Sequence, residues 1–326
     1  MTVRPRILFV VMSAVHRAAA IDQLARSLAP HTVLVHHDFG QTPDFRLNEP
    51  NVAFVPNPKR TGWAVWGFMD GIVHSLRHGL EHHEFDYLQL LSPTCLPIKP
   101  MRAFEEHVVL SEDEAHIDYI DLHANLDAYM TTGWRAFAAK DSLKQLLLAR
   151  ASRLYFAGSE RMIDTCGTQL RQRAGSAADP VGLARALVSL TRLTEKGLLG
   201  HTPFGDSFAP IYGSPWFGAR RKVCEAILDR MADRALVDYF RRVYAADEFL
   251  FSSIIVNGPF RVGKSNHLVN VFEGARPRWF TEADFAKLAS SDRFFARKFV
   301  DDVNEITRKR VLSELVHTGT VGQATI

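Results

Sequence analysis

The chain has 326 residues, of which 47% are hydrophobic, 23% charged and 10% aromatic. This composition is typical of a folded globular protein with a sizeable core, and it excludes collagenous, coiled-coil and disordered classes. The formal net charge of +3 is too small for a protein that binds nucleic acid by neutralising phosphates.

Short apolar runs alternate with amphipathic stretches through the first third of the chain. Apolar residues at helical spacing predict one helix that ends near Leu28 and another along Trp66–Leu80. Strands that alternate with helices form parallel sheets. The sequence therefore predicts an α/β fold with a Rossmann-type mixed sheet flanked by helices. The predicted strands are Ile7–Met12, Thr32–Val35, Val52–Val55 and Tyr87–Leu91.

Polar residues cluster just past the ends of these strands. His36, His37 and Asp38 directly follow the second strand, and Asn57 follows the third. Because open parallel sheets bind ligands at the carboxyl ends of their strands, we expect a ligand site beside these residues.

The rest of the chain divides into two parts. Residues 126–205 are mostly helical in pattern, with a Gly/Ala/Ser-rich break at Ala174–Pro180, and predict a helical insertion between residues 1–125 and 206–326. Further segments are predicted as a helix at Arg220–Met231, a helix or strand at Asp247–Val256 and a helix at Asp301–Leu315.

Cysteine usage and hydropathy indicate in which part of the cell the protein is located. Cys95, Cys166 and Cys224 have neither CxxC nor Cys/His metal spacing, which favours a reducing cytoplasm. The apolar run Ile7–Met12 is too short for a signal peptide, and no run approaches the ~18 apolar residues of a membrane span. The sequence predicts a cytoplasmic protein without a transmembrane segment, which leaves peripheral membrane association open.

Two motifs invite functional readings that we reject. The segment Gly258–Ser265 fits the phosphate-loop pattern GxxxxGK[ST], but a β-like run, and not the helix that such a loop requires, follows Ser265. His74, His78 and His82 are spaced i, i+4, i+8 but lie opposite the apolar stripe of their helix, so we predict a solvated face and not a metal site. We also expect a capping box at Thr281–Asp284.

Two charged pairs carry the chemistry that we expect. The sequence contains no Asp-x-Asp, the pair with which many nucleotide-sugar transferases hold a metal on the diphosphate, so fixed cations would have to replace it. The candidates are Arg297 and Lys298, flanked by phenylalanines that would bury them, with Arg276 and Arg278 upstream. The alternative is that these basic residues form a solvated edge at the start of a helix.

The second charged pair is Asp247-Glu248, at the start of an apolar run. We assign Asp247 as a helix cap and Glu248 as a candidate general base. Trp216 would either stack on a sugar ring or close the core, and the residues alone do not decide between these roles.

Five segments together resemble the core-2/I-branching β-1,6-N-acetylglucosaminyltransferase family, which includes peptide O-xylosyltransferases. They run in the family's order over residues 5–300. The segments are Val35-His-His-Asp38, Tyr87–Lys99, Gly213-Ser-Pro-Trp216, Asp247–Leu250 with Asn257–Phe260, and Phe295–Phe299.

The resemblance implies a GT-A fold and an inverting glycosyltransferase that needs no divalent metal or other cofactor. It assigns Glu248 as the catalytic base and Arg297 and Lys298 as diphosphate ligands, with Arg276 or Arg278 as a further arginine. It places His36, His37, Asp38, Asn57 and Arg60 at the donor nucleoside. On the acceptor side we predict Trp216, Asp206 and Thr94.

On this interpretation, residues 1–125 form the nucleotide-sugar half, 126–205 the acceptor side and 206–326 the catalytic half. Cys95 stands where relatives usually have Asp, which bears on acceptor contacts. The expected reaction moves a sugar, N-acetylglucosamine being the family's commonest, from a UDP-sugar to a hydroxyl of a saccharide or lipid-linked glycan. The rival hypothesis is a non-catalytic nucleotide- or glycan-binding protein of the same fold.

Overall fold

A computed structural model describes residues 4–62, 65–155, 160–165, 168–173, 194–196, 201–273 and 276–317. The helices in these ranges are α1 Ala18–Ser27, α2 Trp66–His82, α3 Met101–Leu110, α4 Leu126–Ala136, α5 Leu143–Tyr155, α6 Arg221–Met231, α7 Arg234–Phe240, α8 Leu250–Val256, α9 Phe285–Ala289 and α10 Ile306–Val311. The strands are β1 Ile7–Ser13, β2 Thr32–His37, β3 Val52–Phe54, β4 Tyr87–Leu91, β5 Leu96–Pro97, β6 Ala115–Asp121, β7 Glu160–Thr165, β8 Thr168–Arg173, β9 Ile211–Arg220, β10 Val262–Gly263, β11 Leu268–Asn270, β12 Phe272–Glu273, β13 Arg276–Pro277 and β14 Phe295–Arg297.

A seven-stranded sheet flanked by helices forms the centre of the molecule, in the order β10-β6-β9-β4-β1-β2-β3. Its pairings are parallel except where β9 lies antiparallel between β4 and β6. β1 and β4 are buried along their whole length, because helices cover both faces of such a sheet. The predicted α/β fold with a mixed sheet is therefore confirmed.

A second, three-stranded sheet in the order β11-β14-β5 joins the two halves of the chain. Backbone hydrogen bonds extend it on both sides of the β5/β14 pairing, from Ile98 to the carbonyl of Phe294 and from Phe299 to that of Thr94, both at 2.9 Å. A small apolar core that includes Leu96 and Phe299 lies beneath this sheet. The segment that follows β4 is thereby fixed against the C-terminal part of the chain.

The insertion is only partly helical in the ranges described. Helices α4 and α5 match the prediction, but β7 and β8 pair as an antiparallel hairpin with Glu160 opposite Arg173. The prediction of helix was wrong for this hairpin, where the β-branched Ile163, Thr165 and Thr168 favour strand. Cys166 and the break at Ala174–Pro180 lie outside the described residues.

The C-terminal helix is shorter than predicted. It begins after Glu305, whose carboxylate accepts a hydrogen bond of 2.9 Å from the backbone N–H of Arg308, and a π-turn at Leu312–Val316 follows it. The fully buried Arg308 donates to Gln23 and to the carbonyl of Ala20, which fixes the helix against α1. Within the described ranges, no helix combines the length and apolarity needed to cross a bilayer.

Candidate active site

His36 lies at the carboxyl end of β2 and is fully buried. Its Nε2 accepts a hydrogen bond of 2.9 Å from the backbone N–H of Lys59. The neutral ring therefore carries its proton on Nδ1, and this buried atom has no partner. Helix α2 approaches closely because Gly71 faces the ring: a Cβ there would lie 3.1 Å from Cε1 of His36.

Burial, followed by the neighbouring His74, lowers the pKa of His36 to about 4. Because this folded-state pKa lies below the unfolded value of about 6.5, the neutral ring's contribution to stability is present above pH 6.5. It is lost as the pH falls toward 4.

We expect the free energy of unfolding to fall by about 2 kcal/mol between pH 7 and pH 5 on account of His36 alone. Denaturant titrations at both pH values check this. His36→Asn should be less stable at pH 7 but should have a shallower pH dependence. An equal dependence in both proteins would contradict the assignment to His36.

His37 is also buried, and both of its ring nitrogens are engaged. Nδ1 lies 3.1 Å from Oγ of Ser13, Nε2 lies 3.1 Å from the carbonyl oxygen of Thr42, and the ring stacks on Phe45 with centroids 3.8 Å apart. This side chain holds the end of β2 in place.

Asp38 fastens the loop after β3 to the end of β2. Its carboxylate accepts hydrogen bonds from Thr61 N–H and from the Gln41 side-chain amide, both at 2.7 Å, and from Gly40 N–H at 3.0 Å. Burial opposes ionisation, but these hydrogen bonds outweigh it and lower the pKa of Asp38. The carboxylate is therefore ionised, and its oxygens already accept hydrogen bonds from within the protein.

The loop that Asp38 and His36 hold contains two predicted donor residues. Asn57 is exposed and has a positive φ of 48°, and Arg60 is exposed beside it. A Cβ added at Gly40 would come within 3.8 Å of Nε of Arg60, so this guanidinium lies next to the Asp38 turn. The structure thus brings the predicted nucleoside residues into one cluster.

The end of β4 carries Thr94 and Cys95, which are both buried. Oγ1 of Thr94 lies 2.9 Å from Oγ of Ser92, and the Cys95 sulfur accepts a 3.3 Å hydrogen bond from Ser92 N–H. Burial raises the pKa of the Cys95 thiol, and the nearby Arg297 opposes the shift. Cys95 is therefore a neutral packing residue beside the predicted anion site.

Trp216 lies in strand β9 and not in a loop, and it is 7% exposed. The pairing of β6 with β9 shifts register here, since Ile117 pairs with Phe217 but Tyr119 pairs with Gly213. Residues 214–216 therefore bulge from the ladder. The indole ring contacts Phe68 at a centroid distance of 5.9 Å, and the guanidinium of Arg297 lies 5.1 Å from its centre.

Arg297 and Lys298 are adjacent, half-buried cations. Nε of Arg297 is buried without a hydrogen-bond partner, and burial lowers the pKa of both side chains, with Arg297 further lowering that of Lys298. Lys298 lies 5.3 Å from the ring centre of Trp279. Neither cation is paired with a carboxylate in the described part of the chain, so both are available to an anion.

Glu248 ends a short 3-10 turn, Ala246–Glu248, before α8. Nη1 of Arg135, in α4 of the insertion, donates to Oε2 of Glu248, and both side chains are about one-quarter exposed. The arginine holds the carboxylate in one orientation with one edge open to solvent. Since 113 residues separate the two, no local sequence pattern could have identified Arg135.

The prediction that Asp247 caps a helix was wrong. Ala245 precedes the 3-10 turn and Phe249 precedes α8, and neither helix start has a side-chain cap. Asp247 lies inside the turn, where burial and then the neighbouring Glu248 raise its pKa to about 7. Two adjacent carboxyl groups thus differ in environment, an arrangement found where acid and base roles are separated.

Strand β9 contacts both the segment that contains Glu248 and the side chain of Arg297. Tyr212, at its start, packs against Phe249, which follows Glu248, with ring centroids 5.5 Å apart, and Trp216 is four residues further along. The residue after Glu248 therefore packs on the start of β9, and Arg297 lies against Trp216 further along the same strand.

Arg278 and Asp206 have no described contact with these groups. Arg278 forms a forked pair with Asp284 at 2.6 and 2.8 Å, within the predicted capping box, whose N–H and hydroxyl donations from Thr281 are present. Donor binding by Arg278 would require this pair to open. Asp206 is exposed at the tip of a turn closed between Gly205 and Phe208. The side chain of Arg276 lies outside the described part.

The phosphate-loop pattern has no phosphate-loop structure. Gly263 belongs to β10, no helix occurs between Ser265 and β11, and Nζ of Lys264 lies 5.0 Å from the ring centre of Tyr119. The rejection of this motif is confirmed.

We expect Lys264→Ala to bind UDP within about threefold of wild type, because the residue lies outside the predicted donor site. Isothermal titration with UDP and with ATP checks this. Tight ATP binding that the substitution abolished would contradict the interpretation.

The histidines of α2 form no metal cluster in the described structure. His78 and His82 stack on the exposed side with centroids 4.3 Å apart, and His74 reaches the carbonyl of Pro56 at 2.8 Å. The cluster that could hold a metal is instead His107, His116 and His267, which their wide spacing hid from sequence analysis.

Comparison of the sequence with protein-family models and with curated proteins finds no match. The site is therefore interpreted from its own geometry and from the motif resemblance.

Proposed function

We propose that this protein is a GT-A-type, inverting glycosyltransferase that moves a sugar from a UDP-sugar to a hydroxyl of a glycan acceptor. The proposal is carried by the adjacent cations Arg297 and Lys298, which are desolvated and lack acidic partners. Keeping two unpaired cations partly buried is costly. A ligand with two negative charges, such as a diphosphate, removes that cost.

Of the two roles expected for Trp216, the buried ring supports closing the core, since it is 7% exposed and packs against Phe68 and Arg297. It supports the proposal by fixing the guanidinium of Arg297 in place. Nδ1–H of the fully buried His36 has no hydrogen-bond partner among the described residues, and a nucleoside would reach it only if the side chains around it moved. The cation pair therefore carries the proposal of a nucleotide-sugar ligand.

Glu248 is the proposed general base. With Arg135 on one carboxylate oxygen, the other would accept the proton of the attacking hydroxyl as it approaches the anomeric carbon. Arg297 and Lys298 would stabilise the charge that develops on the departing UDP. Asp247, with its pKa of about 7, is the second candidate for a proton-transfer role.

Incubation with a panel of UDP-sugars and measurement of free UDP tests the proposal, because many transferases slowly hydrolyse their donor without an acceptor. We expect one donor to release UDP well above the uncatalysed background. UDP binding without turnover of any donor, with or without added glycans, would favour the non-catalytic binding protein. No UDP binding would reject both hypotheses.

We further expect turnover to be independent of Mg²⁺ and Mn²⁺, because cations of the protein take the place of a diphosphate-bound metal. UDP release should be equal within about twofold with excess EDTA and with either ion added. Loss of activity in EDTA that Mn²⁺ restored would contradict the assignment of Arg297 and Lys298.

A further inference from the structure

Three histidines from distant parts of the chain meet beside β10. His107 comes from α3, His116 from β6 and His267 from the segment before β11, and one ring nitrogen from each lies within 4.8 Å of the others. The ring centroids are 4.4 to 5.2 Å apart. None of the three has a place in the proposed transfer reaction.

The cluster is held neutral. His116 and His267 are 3% and 2% exposed. Burial lowers the pKa of all three rings, and neighbouring histidines add to this for His116, whose pKa falls to about 3, and for His267. Neutral imidazole is the form that binds metals.

A hydrogen bond orients each of the two most buried rings. The hydroxyl of Tyr87 lies 2.9 Å from Nδ1 of His116 and 3.1 Å from Nε2 of His267. Nε2 of His116 also lies 3.3 Å from Oγ of Ser111, so a metal bound to this ring would displace one of its two hydrogen bonds. Nε2 of His107, in contrast, is buried and has no hydrogen-bond partner, so the cluster contains a ring nitrogen that the protein itself does not satisfy.

We propose that His107, His116 and His267 form a binding site for a divalent transition-metal ion of the zinc class, separate from the proposed active site. Three imidazoles are a ligand set that suits Zn²⁺ and excludes Mg²⁺ and Ca²⁺, which prefer oxygen. The proposal does not depend on sugar transfer.

Closure around the ion requires a small movement. Nitrogens bound to tetrahedral zinc lie about 3.3 Å apart and the ring nitrogens lie within 4.8 Å of one another, so the rings would draw together by up to about 1.5 Å. His107 can supply this movement because it is only half-buried. Asp113, with a carboxylate oxygen 3.9 Å from Nε2 of His116 and a side chain 41% exposed, marks the route from solvent and is a candidate fourth ligand.

The bound ion would join α3 and β6 to the segment that supports β14. The carbonyl of His267 accepts hydrogen bonds from Phe294 N–H at 3.2 Å and from Phe295 N–H at 3.0 Å. Since β14 ends at Arg297, a metal here would rigidify the strand that carries one of the diphosphate ligands. Its expected role is structural.

Equilibrium dialysis of the metal-free full chain against Zn²⁺, and its melting temperature with and without Zn²⁺, test the proposal. We expect one bound Zn²⁺ per chain and a rise in melting temperature of about 4 °C or more. His107→Gln should weaken binding at least tenfold, and its melting temperature without metal shows whether it folds. His82→Gln is the matched control. It disrupts the stacked pair of His78 and His82 on α2, which could also bind zinc.

Co²⁺ provides a measurement on the unmodified protein, because a tetrahedral site gives intense visible absorption and an octahedral surface site gives faint absorption. Stoichiometric, tetrahedral Co²⁺ that Zn²⁺ displaces would support the site. Absence of binding by wild type, equal binding by His107→Gln, or loss of binding in His82→Gln alone would overturn it.

Discussion

Glu248→Gln should lower turnover by roughly 10²–10⁴-fold, the usual loss when a positioned general base is removed. UDP affinity should change by less than about twofold, because the proposed ligands of the diphosphate lie on β14 and directly after it. Glutamine keeps the shape of the side chain and its hydrogen bond to Arg135 while removing the charge. Steady-state rates of UDP release and UDP titration measure the two effects separately.

Two controls accompany this variant. Glu225→Gln changes an exposed carboxylate on α6 and should leave both constants unaltered. Asp247→Asn should be at least as stable as wild type at pH 8. The substitution removes a carboxyl group whose pKa is raised in the folded state, and ionisation of such a group destabilises the folded protein above about pH 4. Glu248→Gln with more than a tenth of wild-type turnover would remove Glu248 from the role of base.

Lys298→Ala should weaken UDP binding and slow turnover, with a combined loss of about 3 kcal/mol or somewhat over a hundredfold in kcat/KM. Lys298 is the better target of the pair, because Arg297 also packs on Trp216 and its removal would disturb the core. The same assays apply, with melting temperature as a check on folding.

Lys287→Ala is the matched control, because Lys287 is an exposed lysine in nearby α9. It should leave UDP affinity unchanged. A high-salt buffer should reduce the difference between Lys298→Ala and wild type less than it would for an exposed charge, since a half-buried cation is poorly screened. If both alanine variants lost affinity equally, the effect would be one of net charge and not of a built site.

The first half of the fold could be predicted because its signals are local. β1, β2 and β4 contain short apolar runs that alternate along the chain with amphipathic stretches, a pattern typical of a parallel sheet flanked by helices. The hairpin of β7 and β8 could not be predicted in the same way, since it is defined by backbone pairing between two strands and not by a pattern within one segment.

The candidate site was predictable where the interacting residues lie close together in the sequence. His36 lies at the end of β2, Asp38 directly follows the strand, and the loop that they hold lies within 25 residues along the chain. Arg135 and the three-histidine cluster are different, because their partners are brought together only by tertiary packing. Asp247 was misassigned for a related reason: a carboxylate before an apolar run resembles a cap, but Asp247 lies inside a 3-10 turn and the helix begins only at Leu250.

The pairing of β5 with β14 also sets an order on biosynthesis. The contact closes a loop of roughly 200 residues, so it forms late. While the chain emerges from the ribosome, β1, β2 and β4 can assemble early, but Leu96 and Ile98 stay uncovered until residues 295–299 are released. The cation pair, and any ligand that it holds, therefore becomes available only after this segment has left the ribosome. Nascent chains truncated before β14 should expose this apolar surface to chaperones.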